Sequence, residues 1–258
     1  NKKILIVVGS TGGHYFPGIT LGEKLREIEP STCVMFVGEK KIKNLEIWRI
    51  KNFRFLAIPI VKKPSKRLLL IFFPFMAIFV LIRSLNLLSR VRPNLVICMG
   101  SYVTVFIGIA SLLSRRNVVL HEQNLVPGLA NRILNFFGVP AAVTFDDTKK
   151  FLKKCVRTGF PLRQEFLYSK AGHADYNLSP EKKTILVFGG SQGASFINNL
   201  FLEAAQFLDW NKFQVIHITG KLDIVKVKDI YCEKGIPGYV VDFAYDIPRL
   251  MDIADIGV

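Results

Sequence analysis

Apolar bursts of strand length alternate with helix-length segments along almost the whole chain. Ile4–Val8, Cys33–Val37, Phe53–Ile60, Leu95–Met99, Val118–Leu120 and Ala141–Phe145 are short apolar runs, and each predicts a strand. Between the first two, Pro17 is placed to open a helix that carries Leu21, Leu25 and Ile28 on one face. Continuous apolar strands are buried on both sides. The pattern therefore predicts an α/β fold with parallel sheets covered by helices.

The pattern restarts after a polar stretch at 169–181. Lys182-Lys183-Thr184-Ile185-Leu186-Val187-Phe188-Gly189-Gly190-Ser191 echoes Lys2-Lys3-Ile4-Leu5-Ile6-Val7-Val8-Gly9-Ser10. Each copy reads as basic residues, a buried strand and a glycine-rich turn entering a helix. Two such openings predict two Rossmann-like domains whose parallel sheets face a central cleft. Gly159 and Pro161 interrupt the pattern, which puts the domains at 1–160 and 161–258. Ile253–Val258 reads as a strand just beginning, so the expectation is a fragment whose second domain is incomplete.

The first turn, Gly9-Ser10-Thr11-Gly12-Gly13-His14, offers glycine backbone and a helix N-terminus to an anion. It lacks the dinucleotide and Walker spacings, so by itself it reads as a phosphate cradle or as tight packing. The second turn, Gly189-Gly190-Ser191-Gln192-Gly193-Ala194, has the same physics, with Ser191 either a phosphate donor or a simple N-cap. One turn per domain favours a ligand held between them. His121-Glu122-Gln123-Asn124 directly follows a strand, where ligands of open α/β sheets collect; the plainer reading is a solvated loop capping the next helix. His14, after two glycines, is either a structural donor or a general base.

Leu68–Ile82 is a run of fifteen apolar residues, preceded by Lys62, Lys63, Lys66 and Arg67 and followed by Arg83 and Arg90. A spanning helix needs about 20 residues. A buried core helix accounts for the apolarity but not for the basic flank, whereas an element dipping into an anionic leaflet accounts for both. The net charge of +15 likewise favours anionic partners. Nucleic acid is not the expected one, because no motif for it is present. The four cysteines are far apart, with neither zinc nor disulfide spacing, and suit a reducing compartment.

Four blocks stand in order: Thr11-Gly12-Gly13-His14-x-x-Pro17; His121-Glu122-Gln123-Asn124 with Gly128 and Asn131; Gly159-x-Pro161-x-Arg163; and Gly189-Gly190-Ser191-Gln192-Gly193-Ala194 with Asn198. In these blocks the chain resembles, over essentially its whole length, the MurG family of UDP-N-acetylglucosamine:undecaprenyl-pyrophosphoryl-muramoyl-pentapeptide N-acetylglucosaminyltransferases.

The resemblance implies a GT-B fold, with acceptor held mainly by the first domain and UDP-N-acetylglucosamine mainly by the second. It implies inverting transfer of N-acetylglucosamine to a lipid-linked muramoyl-pentapeptide, at the cytoplasmic face of the bacterial inner membrane. It implies that Thr11, Gly12 and Gly13 line the sugar and phosphate site, that Asn124 meets the donor sugar, and that Arg163 and Ser191 bind the diphosphate. Phe243 and Ala244 would border the uracil, and Tyr102, Asn131, Gln192 and Asn198 complete the substrate-binding set. His14 is the candidate base, with Glu122 either its alternate or the group that orients it. There is no Asp-x-Asp, so neither a metal nor a further cofactor is called for. The third glycine loop departs from the family's Gly-Gly-Tyr by reading Gly100-Ser101-Tyr102. The family's C-terminal ribose and diphosphate ligands are not found before Val258. A related transferase with another lipid or sterol acceptor, and a non-catalytic membrane-associated module, are the competing readings.

Overall fold

The computed structural model describes residues 2–59, 73–168, 170–189, 194–244 and 246–258. The chain divides into two compact units, Asn1–Arg163 and Gln164–Val258.

In the first unit the strands are β1 (Lys3–Val7), β2 (Cys33–Glu39), β3 (Arg54–Ile58), β4 (Leu95–Cys98), β5 (Asn117–Glu122), β6 (Ala141–Val143) and β7 (Cys155–Arg157). The helices are α1 (Gly12–Ile28), the short α2 (Ile47–Ile50), α3 (Phe73–Val91), α4 (Tyr102–Leu113) and α5 (Leu129–Phe136). The sheet runs β3-β2-β1-β4-β5-β6-β7, parallel throughout. Alternate residues feed its two faces. Leu5, Val7, Val96 and Cys98 pack with Leu88, Ile107 and Leu134 of α3, α4 and α5. Ile4, Ile6, Ile97 and Met99 pack with Ile19 of α1 and with Trp48. Both faces are dry, which is why these strands read as unbroken apolar runs.

Two expectations are corrected here. Helix α1 opens at Gly12, and Pro17 lies inside it. Its sheet-facing stripe is Pro17, Gly18, Ile19 and Gly22, with Leu21 and Leu25 flanking, whereas Ile28 is exposed. The reason is close approach: a Cβ on Gly18 would stand 2.8 Å from Val8, and one on Gly22 3.0 Å from Phe36. The glycines therefore set the contact line, and the last turn runs clear of the core. Strand β5 is longer than expected, taking in His121 and Glu122, while β3 and β6 end earlier than their apolar runs. Helix α3, by contrast, is not the wholly buried core helix that was the disfavoured alternative. Val80, Ser84 and Leu88 pack inward, but Phe75, Met76, Ile78, Phe79 and Ile82 are exposed. Its 19 residues and mean hydropathy of 1.5 suffice to cross a membrane by length and composition. Its inner face, however, is committed to the sheet. The residues 60–72, including Lys62, Lys63, Lys66, Arg67 and the run from Leu68, lie outside the described residues.

The second unit comprises α6 (Glu165–Tyr168), β8 (Lys183–Phe188), α7 (Ser195–Ala204), β9 (Phe213–Ile218), α8 (Ile224–Glu233), β10 (Gly238–Val241), α9 (Ile247–Asp252) and β11 (Ile256–Gly257). Its four-stranded parallel sheet has the order β10-β9-β8-β11. Ile185, Val187 and Val215 pack towards Phe201 and Val227, and Leu186, Ile216 and Ile218 towards Leu250 on the other face.

Candidate active site

In the first unit the strand order reverses between β1 and β4. Parallel sheets open a crevice at such a point, beyond the carboxyl ends of the strands. A cavity of about 350 Å³ lies there. Residues after β1, β4 and β5 line it, among them His14, Tyr102, Glu122, Asn124 and Asn131.

The glycine turn ends at Thr11, which caps α1 in an extended conformation. Its hydroxyl lies 2.7 Å from His14 Nδ1. Gly12 and Gly13 form the first turn of the helix, where backbone N–H groups have no intrahelical acceptor. A Cβ on Gly13 would meet nothing within 4 Å. The imidazole of His14 is pressed between two other glycines. A Cβ on Gly9 would fall 2.8 Å from its Nδ1, and one on Gly100 3.1 Å from its Nε2. Burial holds the His14 pKa below the usual histidine value, and the nearby Glu122 charge partly opposes this. Arg163 extends its guanidinium over the Phe16 ring at 4.7 Å, which brings it to the same helix. Its charge also opposes the burial that raises the Tyr15 phenol.

The polar run after β5 is not a solvated loop. His121, Glu122 and Gln123 are buried, and His121 Nε2 lies 3.2 Å from the Gly159 carbonyl. Glu122 accepts four hydrogen bonds. Asn124 N at 3.0 Å and Asn124 Nδ2 at 3.2 Å donate to Oε1. Gly128 N and Asn131 Nδ2, each at 2.9 Å, donate to Oε2. A carboxylate whose lone pairs are so engaged is a scaffold: it folds 122–128 back and fixes Asn124 and Asn131 at the cavity wall.

At the end of β4, Gly100 and Ser101 both take positive φ, +94° and +83°. Ser101, with ψ 171°, occupies a region that essentially only glycine visits. Its Oγ and the Oδ1 of Asn131 are buried without a hydrogen-bond partner among the described residues, and both residues line the cavity. Leaving such atoms unmatched costs about 1–3 kcal/mol each, so they are natural ligand contacts. Ser101, Gly100, Val105 and Leu129 were not among the residues singled out from sequence as binding substrate. The signal for the first two was present in the third glycine loop after an apolar strand.

In the second unit, Ser191 and Gln192 lie outside the described residues. Helix α7 begins at Ser195 with Ala194 as its N-cap. Asn198 is buried and satisfied within the unit. Its Nδ2 donates to Thr219 O at 2.8 Å and Asp223 Oδ2 at 2.7 Å, and its Oδ1 faces His217 Nε2 at 3.1 Å. Since Nδ2 carries both donors, Oδ1 must accept, which fixes the His217 proton on Nε2 and leaves Nδ1 to accept from Tyr231, 2.9 Å away. Asp223 also accepts from the Ser195 hydroxyl at 2.6 Å. Asn198 thus ties the start of α7 to the start of α8. Phe243 and Ala244 follow β10, Phe243 half-exposed and Ala244 packed beside Leu250 and Ile247.

Residues 4–140 match the glycosyltransferase family 28 N-terminal domain, and residues 184–258 match the glycosyltransferase family 28 C-terminal domain. A UDP-N-acetylglucosamine--N-acetylmuramyl-(pentapeptide) pyrophosphoryl-undecaprenol N-acetylglucosamine transferase of Geotalea uraniireducens is 31% identical over 266 residues, covering 98% of this chain and 71% of the relative. The protein of the same name from Desulfotalea psychrophila is 33% identical, covering 99% and 70%. Among solved structures, Acinetobacter baumannii MurG superposes with a TM-score of 0.73 at 22% identity, over all of this chain and 71% of that one. UDP-GlcNAc 2-epimerase from Neisseria meningitidis, bound to UDP-GlcNAc, gives 0.68 at 15% identity, over 99% and 76%. The two structural likenesses are of fold.

Proposed function

Because this chain belongs to glycosyltransferase family 28, we propose that it is an inverting transferase that moves N-acetylglucosamine from UDP-N-acetylglucosamine to the 4-hydroxyl of a lipid-linked N-acetylmuramoyl-pentapeptide. Its fold is GT-B, an α/β arrangement with a seven-stranded and a four-stranded parallel sheet. The relatives' names supply donor and acceptor. The observation that carries the reading is the cavity at the strand-order reversal, where His14 stands beside Asn124 and Asn131.

The chemistry follows from those side chains. The acceptor 4-hydroxyl oxygen attacks the anomeric carbon from the face opposite the diphosphate, and its proton passes to His14. The bond from that carbon to UDP oxygen breaks, and UDP leaves with the electron pair. Burial keeps His14 neutral, as a base must be. With Nδ1–H donating to Thr11 Oγ1, the lone pair lies on Nε2, which has no protein partner among the described residues. Glu122 serves as the orienting group, because its four hydrogen bonds leave it poorly placed to take a proton. Arg163, Ser191 and Gln192 meet the diphosphate charge, and the N–H groups of Gly12 and Gly13 add an anion-binding edge. Asn124 holds the donor sugar, Tyr102 and Asn131 the acceptor, and Phe243 with the Ala244 backbone the uracil. Asn198 acts from beneath, by holding the start of α7.

The exposed apolar residues of α3 support contact with an anionic membrane that presents the acceptor. The test is transfer of labelled N-acetylglucosamine to a short-chain muramoyl-pentapeptide lipid, with inverted product stereochemistry. Transfer to diacylglycerol instead, or epimerisation of the donor without transfer, would replace this reading.

A further inference from the structure

In the second unit a polar chain runs through an apolar layer. His217 of β9 lies on the same face as Val215 and is fully buried. Its ring centre is 5.6 Å from that of Phe201 in α7 and 5.8 Å from that of Tyr231 in α8. Exchanging a buried, hydrogen-bonded group and its partners for apolar ones of like shape is close to neutral for stability. What an aliphatic side chain lacks at such a place is direction.

Direction passes along the chain towards the start of α7. Tyr231 donates to Nδ1 of His217, and Nε2–H donates to Asn198 Oδ1. Burial keeps the imidazole neutral and the phenol protonated, as this order requires. The Asn198 amide then has one orientation, with its N–H groups turned to Thr219 O and Asp223 Oδ2. Turned over, it would set N–H against N–H and oxygen against carboxylate. The same Asp223 oxygen accepts from Ser195 Oγ, so one carboxylate grips the first and fourth residues of α7. Gly189, next after β8, lies so close to Ala194 that a Cβ has no room there. The first turn of α7 is thus held to the ends of β8 and β9.

We infer that His217 is a positioning residue for donor binding: through Asn198 it holds the opening turn of α7 in the orientation that receives the diphosphate of a nucleotide sugar. An anion at a helix start is bound by N–H groups that have no intrahelical acceptor, and such bonds weaken steeply once they tilt. The inference rests on the donor reading given above, and adds to it a residue that touches no substrate.

The experiment measures UDP-N-acetylglucosamine binding by calorimetry, and donor KM and kcat by steady-state kinetics, in wild type, His217→Leu and His217→Gln. Leucine removes the N–H, and should weaken donor binding about tenfold, raise donor KM to match and leave kcat within about threefold. Glutamine supplies an amide N–H near the place of Nε2 and should recover most of the loss. A fall in kcat at unchanged donor KM would overturn the inference, since it marks loss of folded protein alone. So would a glutamine variant as weak as the leucine one, which would make packing of the ring decisive. Nitrogen NMR shifts of the His217 ring in the wild type check the chain without any variant. The proton should sit on Nε2, and a proton on Nδ1 would overturn the inference. Wild type that binds no donor would remove the donor reading itself, and the inference with it. Wild-type binding matched by His217→Leu would remove the inference alone.

Discussion

Thr11 Oγ1 and His14 Nδ1 stand 2.7 Å apart across the first turn of α1, so the residue that caps the helix also orients the imidazole. In the proposed reaction the same turn supplies both an anion-binding edge and a directed base. His14→Ala should lower kcat by about 10²–10⁴, the usual worth of general-base catalysis, with little change in KM for UDP-N-acetylglucosamine. Steady-state kinetics decide this, and wild-type kcat in the variant would remove His14 as the base.

Glu122 raises the His14 pKa against the effect of burial. In Glu122→Gln that support is lost and the imidazole pKa falls further. The acidic limb of the kcat/KM profile should therefore move to lower pH, even as the rate drops. The amide also turns an –NH₂ towards donors that now meet carboxylate oxygen, at a cost of about 1–3 kcal/mol. A pH–rate profile whose acidic limb stays in place would uncouple the two groups.

Ser101 sits at φ +83° and ψ 171°, a backbone region that favours glycine. Such strain costs about 1–3 kcal/mol, while a glycine gives up about 0.5–1 kcal/mol to the freer unfolded chain. Ser101→Gly should therefore stabilise the protein by about 1 kcal/mol. Ser101→Ala, which removes the unmatched Oγ but keeps the Cβ and its strain, should gain less. Urea melts separate the two, and a less stable glycine variant would mean that the Oγ outweighs the strain.

His217 is buried, and burial drives its pKa from 6.5 to about 4. The folded state favours the neutral ring. The stabilisation is therefore complete above pH 6.5 and is lost as pH falls towards 4, amounting to about 3 kcal/mol in all. His121 is shifted in the same direction, again chiefly by burial. Urea unfolding between pH 7 and pH 4.5 should show the loss, and His217→Gln should flatten it. An equally steep decline in that variant would place the acid sensitivity elsewhere.

Periodicity determined a good deal by itself. Strands buried on both faces cannot alternate polar with apolar, so the runs from Ile4, Cys33 and Leu95 announced a parallel sheet, and the repeated strand–glycine opening announced a second one. Side-chain type carried the four motif blocks, because His14, Glu122, Asn124 and Asn131 are informative as residues wherever they fold.

What only tertiary structure decided was direction and partnership. Glu122 acts as a scaffold because four donors, all from Asn124, Gly128 and Asn131, converge on it in the fold. Asn198 turned inward because His217 and Asp223 arrive from other elements to take its atoms. The basic flank of α3 pointed to an exposed apolar face, but which of its residues turn inward was not legible, since an apolar residue has the same composition whether a sheet covers it or not. Burial depends on what packs opposite, and hydrogen bonds depend on what arrives; neither is a property of the residue alone.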